Sequence, residues 1–258
     1  MDLSHEAQNE LTRIAVKAGQ ILLQHGAESR LVEQTTQRIG IALGAQNIEL
    51  SVSSDAIVIT SLFAGRCVTT TRRCYDRGIN MYMVCEVQRI CVMLEKQLLD
   101  VKQVKDRLNR LQPLKYNRWL VVLMIGFSCA SFSHFFGGDL PVYISTFFAS
   151  ASAMILRQEL AHRQHNPFVN FAASAFLATS IASIGVFYNF GEKPQIAMAA
   201  CVLLLVPGFP LINAVSDMLK GHINTGIARW VFATLLTISV SIGIVASMAV
   251  TGVAAWII

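Results

Sequence analysis

The chain has 258 residues, 53% of them hydrophobic and only 14% charged, with a formal net charge of +5 and a mean hydropathy of +0.50. A soluble domain carries about a quarter charged residues, so most of this chain belongs in lipid, and its long apolar runs exclude a disordered or disulfide-stapled secreted class. The first 113 residues hold 14 basic and 12 acidic side chains and the remaining 145 hold 7 and 4, which divides the chain near Pro113 into a polar part and an apolar one. The opening MDLSHEAQNE has no basic stretch followed by an apolar core, so no cleaved signal is expected.

From the N-terminus, residues 6–25 place Leu11, Ile14, Ala15, Ala18 and Leu22 at helical spacing and stop at Gly26. Residues 28–43 do the same with Leu31, Val32, Thr35, Ile39 and Leu43, and stop at Gly44. The texture then turns to short β-branched runs, NIELSVS, AIVIT and RCVTTT, separated by Ser54-Asp55 and Ala64-Gly65, which predicts an antiparallel meander. Helical spacing returns in a stripe of Val84, Val87, Cys91, Leu94 and Leu98. Asp100 is placed to cap a further helix with the apolar line Val101, Val104, Leu108 and Leu111. Residues 1–113 therefore read as an α+β domain large enough for a modest core of its own.

Beyond Pro113, uncharged runs cover 119–138, 140–156, 164–191, 194–216 and 230–258. A bilayer-crossing helix needs about 20 such residues. The fold class expected is thus a mainly α membrane protein, with five transmembrane helices in 114–258, near 119–138, 140–157, 168–190, 195–216 and 230–256, preceded by a small cytoplasmic α+β domain. Basic residues beside the run ends set the orientation: Arg110, Lys115 and Arg118, then Arg157 and Arg163, then Lys220 and Arg229 on one side, against Lys193 alone on the other. By the positive-inside rule the N-terminus is cytoplasmic and the C-terminus lies outside. Ala149, Ser150, Ala153, Ala178, Ala182 and Gly243 are small residues that permit close helix contact, a packing signal without chemistry.

The fourth run is the most informative. Pro207 and Pro210 remove two backbone donors, leaving the carbonyls of Leu203 and Val206 without their helical partners, and Gly208 bares the backbone between them. A break near mid-membrane is tolerated only against protein or a water-filled cavity, and in transporters such breaks hold ions and anionic substrate groups. A second half-helix from Pro210 would place Asn213, Asp217, Lys220 and Asn224 on one face. Asp217 then reads as a proton carrier or cytoplasmic gate, or, with Lys220, as an ordinary interfacial pair. Arg157 and Arg229 read either as forks for a substrate carboxylate or as positive-inside anchors.

Enzyme chemistry finds little support. His5-Glu6 lacks the second histidine of a zinc-protease helix, Asn9 standing there, and no nucleophile elbow, phosphate loop or dinucleotide fingerprint occurs. Cys67, Cys74, Cys85 and Cys91 fit no zinc spacing. No catalytic residue, cofactor or metal is expected, and the basic balance belongs to membrane flanks, not to nucleic acid. His134 reads as an interfacial histidine, and the polar run from Arg72 to Asn80 either as a solvated turn or as an anion or docking site.

Several segments together resemble the threonine/serine exporter family: HGAES at 25–29, SVSSDAIVIT at 51–60, DRGINM at 76–81, TFFAS at 146–150, RQ at 157–158 and above all LLLVPGFPLINAVSDMLKGHINTGIARW at 203–230. The likeness runs over nearly the whole chain, in a half-length form of the family. It implies a cytoplasmic domain followed by a membrane domain, and a second small membrane subunit of the YjjB type with which the half-length form exports succinate across a bacterial inner membrane. Homo-oligomerisation is the alternative to that partner. The function expected is a subunit of a secondary-active exporter of C4-dicarboxylates, with a small dicarboxylate and membrane lipid as its other partners. The alternatives are a threonine/serine exporter and a membrane-anchored ligand-binding regulator.

Overall fold

The structure is a computed structural model and describes residues 5–63 and 65–253. The chain divides into two compact units: one comprises residues up to Lys115 together with Phe209–Trp230, the other Tyr116–Gly208 together with residues from Val231 onward.

In the first unit, α1 (His5–Gln24) and α2 (Ser29–Ala42) precede β1 (Asn47–Val52), β2 (Ala56–Phe63) and β3 (Arg66–Arg73), followed by α3 (Met81–Glu95) and α4 (Val101–Arg110). The strands form an antiparallel meander in the order β1-β2-β3, with Leu50 opposite Ile59 and Ile59 opposite Thr70. Strict alternation in β2 turns Ile57, Ile59, Ser61 and Phe63 toward the core. Helix α1 lies close on that face because Gly19 has no side chain: a Cβ there would meet Ile57 Cδ1 and Thr36 Oγ1 at 2.6 Å. The buried Thr12 and Ser61 hydroxyls share a hydrogen bond of 2.5 Å, so these two polar groups are paired within the core. Asp100 and Gln103 form the capping box that starts α4. Two expected core positions fail: α3 stops at Glu95, Gln97 takes a positive φ of 56°, and Leu98 is thereby turned to the surface while Leu99 is buried in its place, and Val101, at the first position of α4, is exposed.

The second unit holds α5 (Arg118–Phe135), α6 (Leu140–His162), α7 (Pro167–Phe187), α8 (Gln195–Cys201) with a 3-10 turn at Leu203–Leu205, and most of α10 (Ile223–Thr251). Asn117, Asp139 and Asn166 each cap the helix that follows by accepting a backbone N–H. Small residues let the helices approach: Ala149, Ala153, Ala178 and Ala182 are fully buried, and a Cβ on Gly243 would overlap the Ala172 carbonyl. Large apolar side chains such as Phe127, Phe148, Ile238 and Val245 point outward instead. Among the described residues four helices are long and apolar enough to cross a membrane, or five if Gln195–Leu205 and Gly208–Leu219 count as one broken span.

Helix lengths differ from the uncharged runs. The second run continues as helix through His162, so Arg157 lies within α6 and not in a loop. The last helix begins at Ile223, so Arg229 also lies on helix.

Candidate functional site

The break expected from the two prolines is present between the 3-10 turn and α9 (Gly208–Leu219). The two carbonyls that lose their helical donors to the prolines find substitutes. Leu203 accepts from the N–H of Val206 at 3.2 Å, and Val206 accepts from Gly208 at 2.8 Å. With the Gly208 N–H so engaged, the Leu204 carbonyl accepts instead from Arg157 Nη1 at 3.3 Å. The carbonyls of Leu203 and Val206 singled out by the sequence are therefore occupied, and the one that recruits a side chain is Leu204. Pro207 is buried, whereas a Cβ on Gly208 would meet nothing within 4 Å, so this glycine is not required by close packing.

Arg157 is held from three sides. Its guanidinium carbon stands 4.6 Å from the centre of the Phe171 ring. Its own carbonyl accepts from Asn170 Nδ2 at 3.1 Å, and Ser174 Oγ donates to Asn170 Oδ1 at 3.3 Å. Among the described residues no carboxylate pairs with Arg157. A half-buried cation satisfied by a neutral carbonyl and an aromatic face retains donors for an anion, in the fork geometry that suits a carboxylate.

The other sequence-selected residues gather in the first unit, where α9 lies against the α1–α2 corner, the HGAES segment. Asn213 Nδ2 donates to Gly26 O at 2.8 Å. Glu28 receives Ser216 Oγ at 2.9 Å and Lys220 Nζ at 2.6 Å. Asp217 is fully buried, and one carboxylate oxygen accepts the Ser29 N–H at 2.8 Å while the other accepts Arg229 Nη1 at 2.7 Å. Arg229 Nη2 also donates to Ala27 O at 2.9 Å. His222 stands 3.3 Å from Glu33, and Thr225 Oγ1 donates to Val52 O at 3.0 Å.

This arrangement follows from a gap in local capping. Glu28 precedes α2 but makes no side-chain cap, so the first N–H groups of α2 need an acceptor from elsewhere. Asp217 supplies it across 188 positions of sequence, at the positive end of the α2 dipole. Hydrogen bonds from Lys220 and then Ser216 hold the Glu28 carboxyl below its ordinary range against the opposing effect of burial.

Two corrections follow for the expected polar face. Asn224 does not continue it: α9 ends at Leu219, Gly221 takes φ +91°, and Asn224 is exposed on the first turn of α10. Arg229 is not an open fork, because Asp217 and the Ala27 carbonyl already occupy it. Pro210 starts α9 within its first turn, where its missing N–H is tolerated. Phe171, Asn170 and the Leu204 carbonyl escaped sequence reasoning. Asn170 and Ser174, polar at i and i+4 inside an apolar run, were the available signal.

A threonine/serine exporter family profile, described as "Putative threonine/serine exporter", matches residues 13–251. Two proteins named "Probable succinate transporter subunit YjjP" are similar over almost their whole length. The one from Escherichia coli (strain K12) is 51% identical across 98% of this chain and 99% of its own. That from Klebsiella aerogenes is 51% identical across 99% and 100%. A "Probable threonine/serine exporter" of Mycobacterium tuberculosis is 21% identical over 91% of this chain, which spans 45% of that protein. No solved structure matches.

Proposed function

This chain belongs to the threonine/serine exporter family, and we propose that it is one subunit of a secondary exporter of C4-dicarboxylates such as succinate. In this reading it crosses a bacterial inner membrane five times, the fourth span being the broken one, with the N-terminus cytoplasmic and the C-terminus outside. It works as a transporter and not as an enzyme, together with a second small membrane subunit of the YjjB type. The substrate class is supported by the near-full-length likeness to proteins named as succinate transporter subunits.

The observation that carries the residue-level reading is Arg157 beside the Leu204 carbonyl. A dianion needs cationic donors without a competing acid, and Arg157 has no carboxylate partner among the described residues. The near-full-length likeness to proteins named as succinate transporter subunits, and not the geometry at Arg157, favours the dicarboxylate over threonine or serine. Asp217, paired with Arg229 and capping α2, is assigned to positioning α9 in preference to carrying a proton. The break in the fourth span is the point of the chain at which alternating access would act.

Uptake of labelled succinate into inverted membrane vesicles tests this reading. Flux that needs both subunits and falls at least ten-fold with Arg157→Gln supports it. Flux inhibited by threonine and indifferent to succinate moves the protein to the amino-acid branch.

A further inference from the structure

A cleft of about 690 Å³ opens in the N-terminal unit between α1, α4 and the end of β3. Glu10, Arg13 and Lys17 recur at helical spacing on α1 and form one wall. Helix α4 provides the other wall with Lys105 and Asn109, and Arg72 of β3 closes one end. Two hydrogen bonds cross from wall to wall: Lys105 Nζ donates to Glu10 Oε1 at 2.5 Å, and Lys17 Nζ donates to Asn109 Oδ1. Gln20 Nε2 donates to Arg73 O at 2.8 Å and ties α1 to β3 beside Arg72. The cleft is therefore braced by three elements and is not a gap between loose side chains.

Its charge is unbalanced. Lys105 is neutralised by Glu10, and Arg13 lies near the same carboxylate. Glu6 also lines the cleft, so four basic and two acidic side chains leave an excess of positive charge, with Lys17 and Arg72 converging from two different elements. Lys17 is bonded to a neutral amide, and among the described residues Arg72 makes no ion pair. Burial, and then the neighbouring Arg72 charge, push the half-buried Lys17 ammonium below its ordinary value. Converging like charges in a concave polar site raise the local anion concentration, and a bound anion relieves their repulsion. The volume lies within the range of small-molecule sites, about 300–1,000 Å³.

We propose that this cleft binds a small, multiply charged organic anion, one charged group meeting the Arg72 fork and a second meeting Lys17. Carboxylate and phosphate groups share the required chemistry: planar or tetrahedral oxygens for a guanidinium, and a point charge for an ammonium. The site is built wholly from the N-terminal unit and does not depend on the transport reading.

The test uses the full-length chain in detergent, titrated calorimetrically with citrate and separately with pyrophosphate, so that the two arms separate a carboxylate source from a phosphate one. The expected result is saturable binding of at least one probe, weakened ten-fold or more by Arg72→Gln and by Lys17→Gln and unchanged by Arg157→Gln. Arg72 is exposed and, among the described residues, bonds no other element through its side chain, so Arg72→Gln should melt at the parental temperature and report binding alone. The proposal is overturned if neither probe binds saturably, or if Arg72→Gln binds as tightly as the parent.

Discussion

Asp217 illustrates how one carboxylate can serve two elements. It caps α2 through the Ser29 N–H and neutralises Arg229, which also engages the Ala27 carbonyl. Removing one member of a buried ion pair strands the other, at a cost of about 3–5 kcal/mol. Asp217→Ala should therefore lower stability by about that amount, while Asp217→Asn, which keeps an acceptor for Ser29, should lose less; thermal melting in detergent distinguishes them. Glu28 adds a pH dependence. Its carboxyl is depressed chiefly by the hydrogen bond from Lys220, so its contribution is present above the ordinary value of 4.5 and is lost as pH falls through the depressed one. The melting temperature should thus fall in acid more steeply for the parent than for Glu28→Gln; parallel curves would remove Glu28 from the account. Asp217, Lys220 and Asn213 were legible in sequence as polar residues sharing a face. Their partners were not, because Glu28 and Lys220 are 192 positions apart and nothing in spacing links them.

At the scale of elements, the prolines determine the break, since no rearrangement can return the donors that Pro207 and Pro210 lack. Pro207→Ala restores an N–H for the Leu203 carbonyl, which favours continuous helix and draws the Leu204 carbonyl away from Arg157. Succinate flux should fall several-fold with Pro207→Ala at equal membrane abundance, and unchanged flux would show that the break is only a kink. The meander and the cap at Asp100 were equally legible, because alternation and capping are local properties. Element ends were less so. The Gln97 turn that exposes Leu98 and the Gly221 turn that separates Asn224 from α9 each interrupt a stripe that helical spacing alone would continue. The Leu204 carbonyl was illegible for a different reason: which backbone acceptor a break releases depends on the donors that re-pair around it.

Across the whole molecule, the two units carry opposite surfaces, a polar one around the sheet and an outward apolar one around the long helices. Cysteines report on the first unit. Cys67 and Cys85 are exposed, whereas burial pushes the thiols of Cys74 and Cys91 up to about 11. Maleimide at neutral pH should label Cys67 and Cys85 promptly and reach Cys74 and Cys91 only on unfolding, which mass spectrometry of the labelled peptides reads directly.

The most direct test of the transport account is labelled succinate uptake into inverted vesicles bearing this chain with its second subunit, comparing the parent with Arg157→Gln and Arg157→Lys and adding unlabelled succinate or threonine as competitor. The account predicts flux only with both subunits, competed by succinate and not by threonine, lost by at least ten-fold in Arg157→Gln and partly retained in Arg157→Lys, where the charge remains but the fork does not. Full flux in Arg157→Gln, or competition by threonine alone, would contradict it.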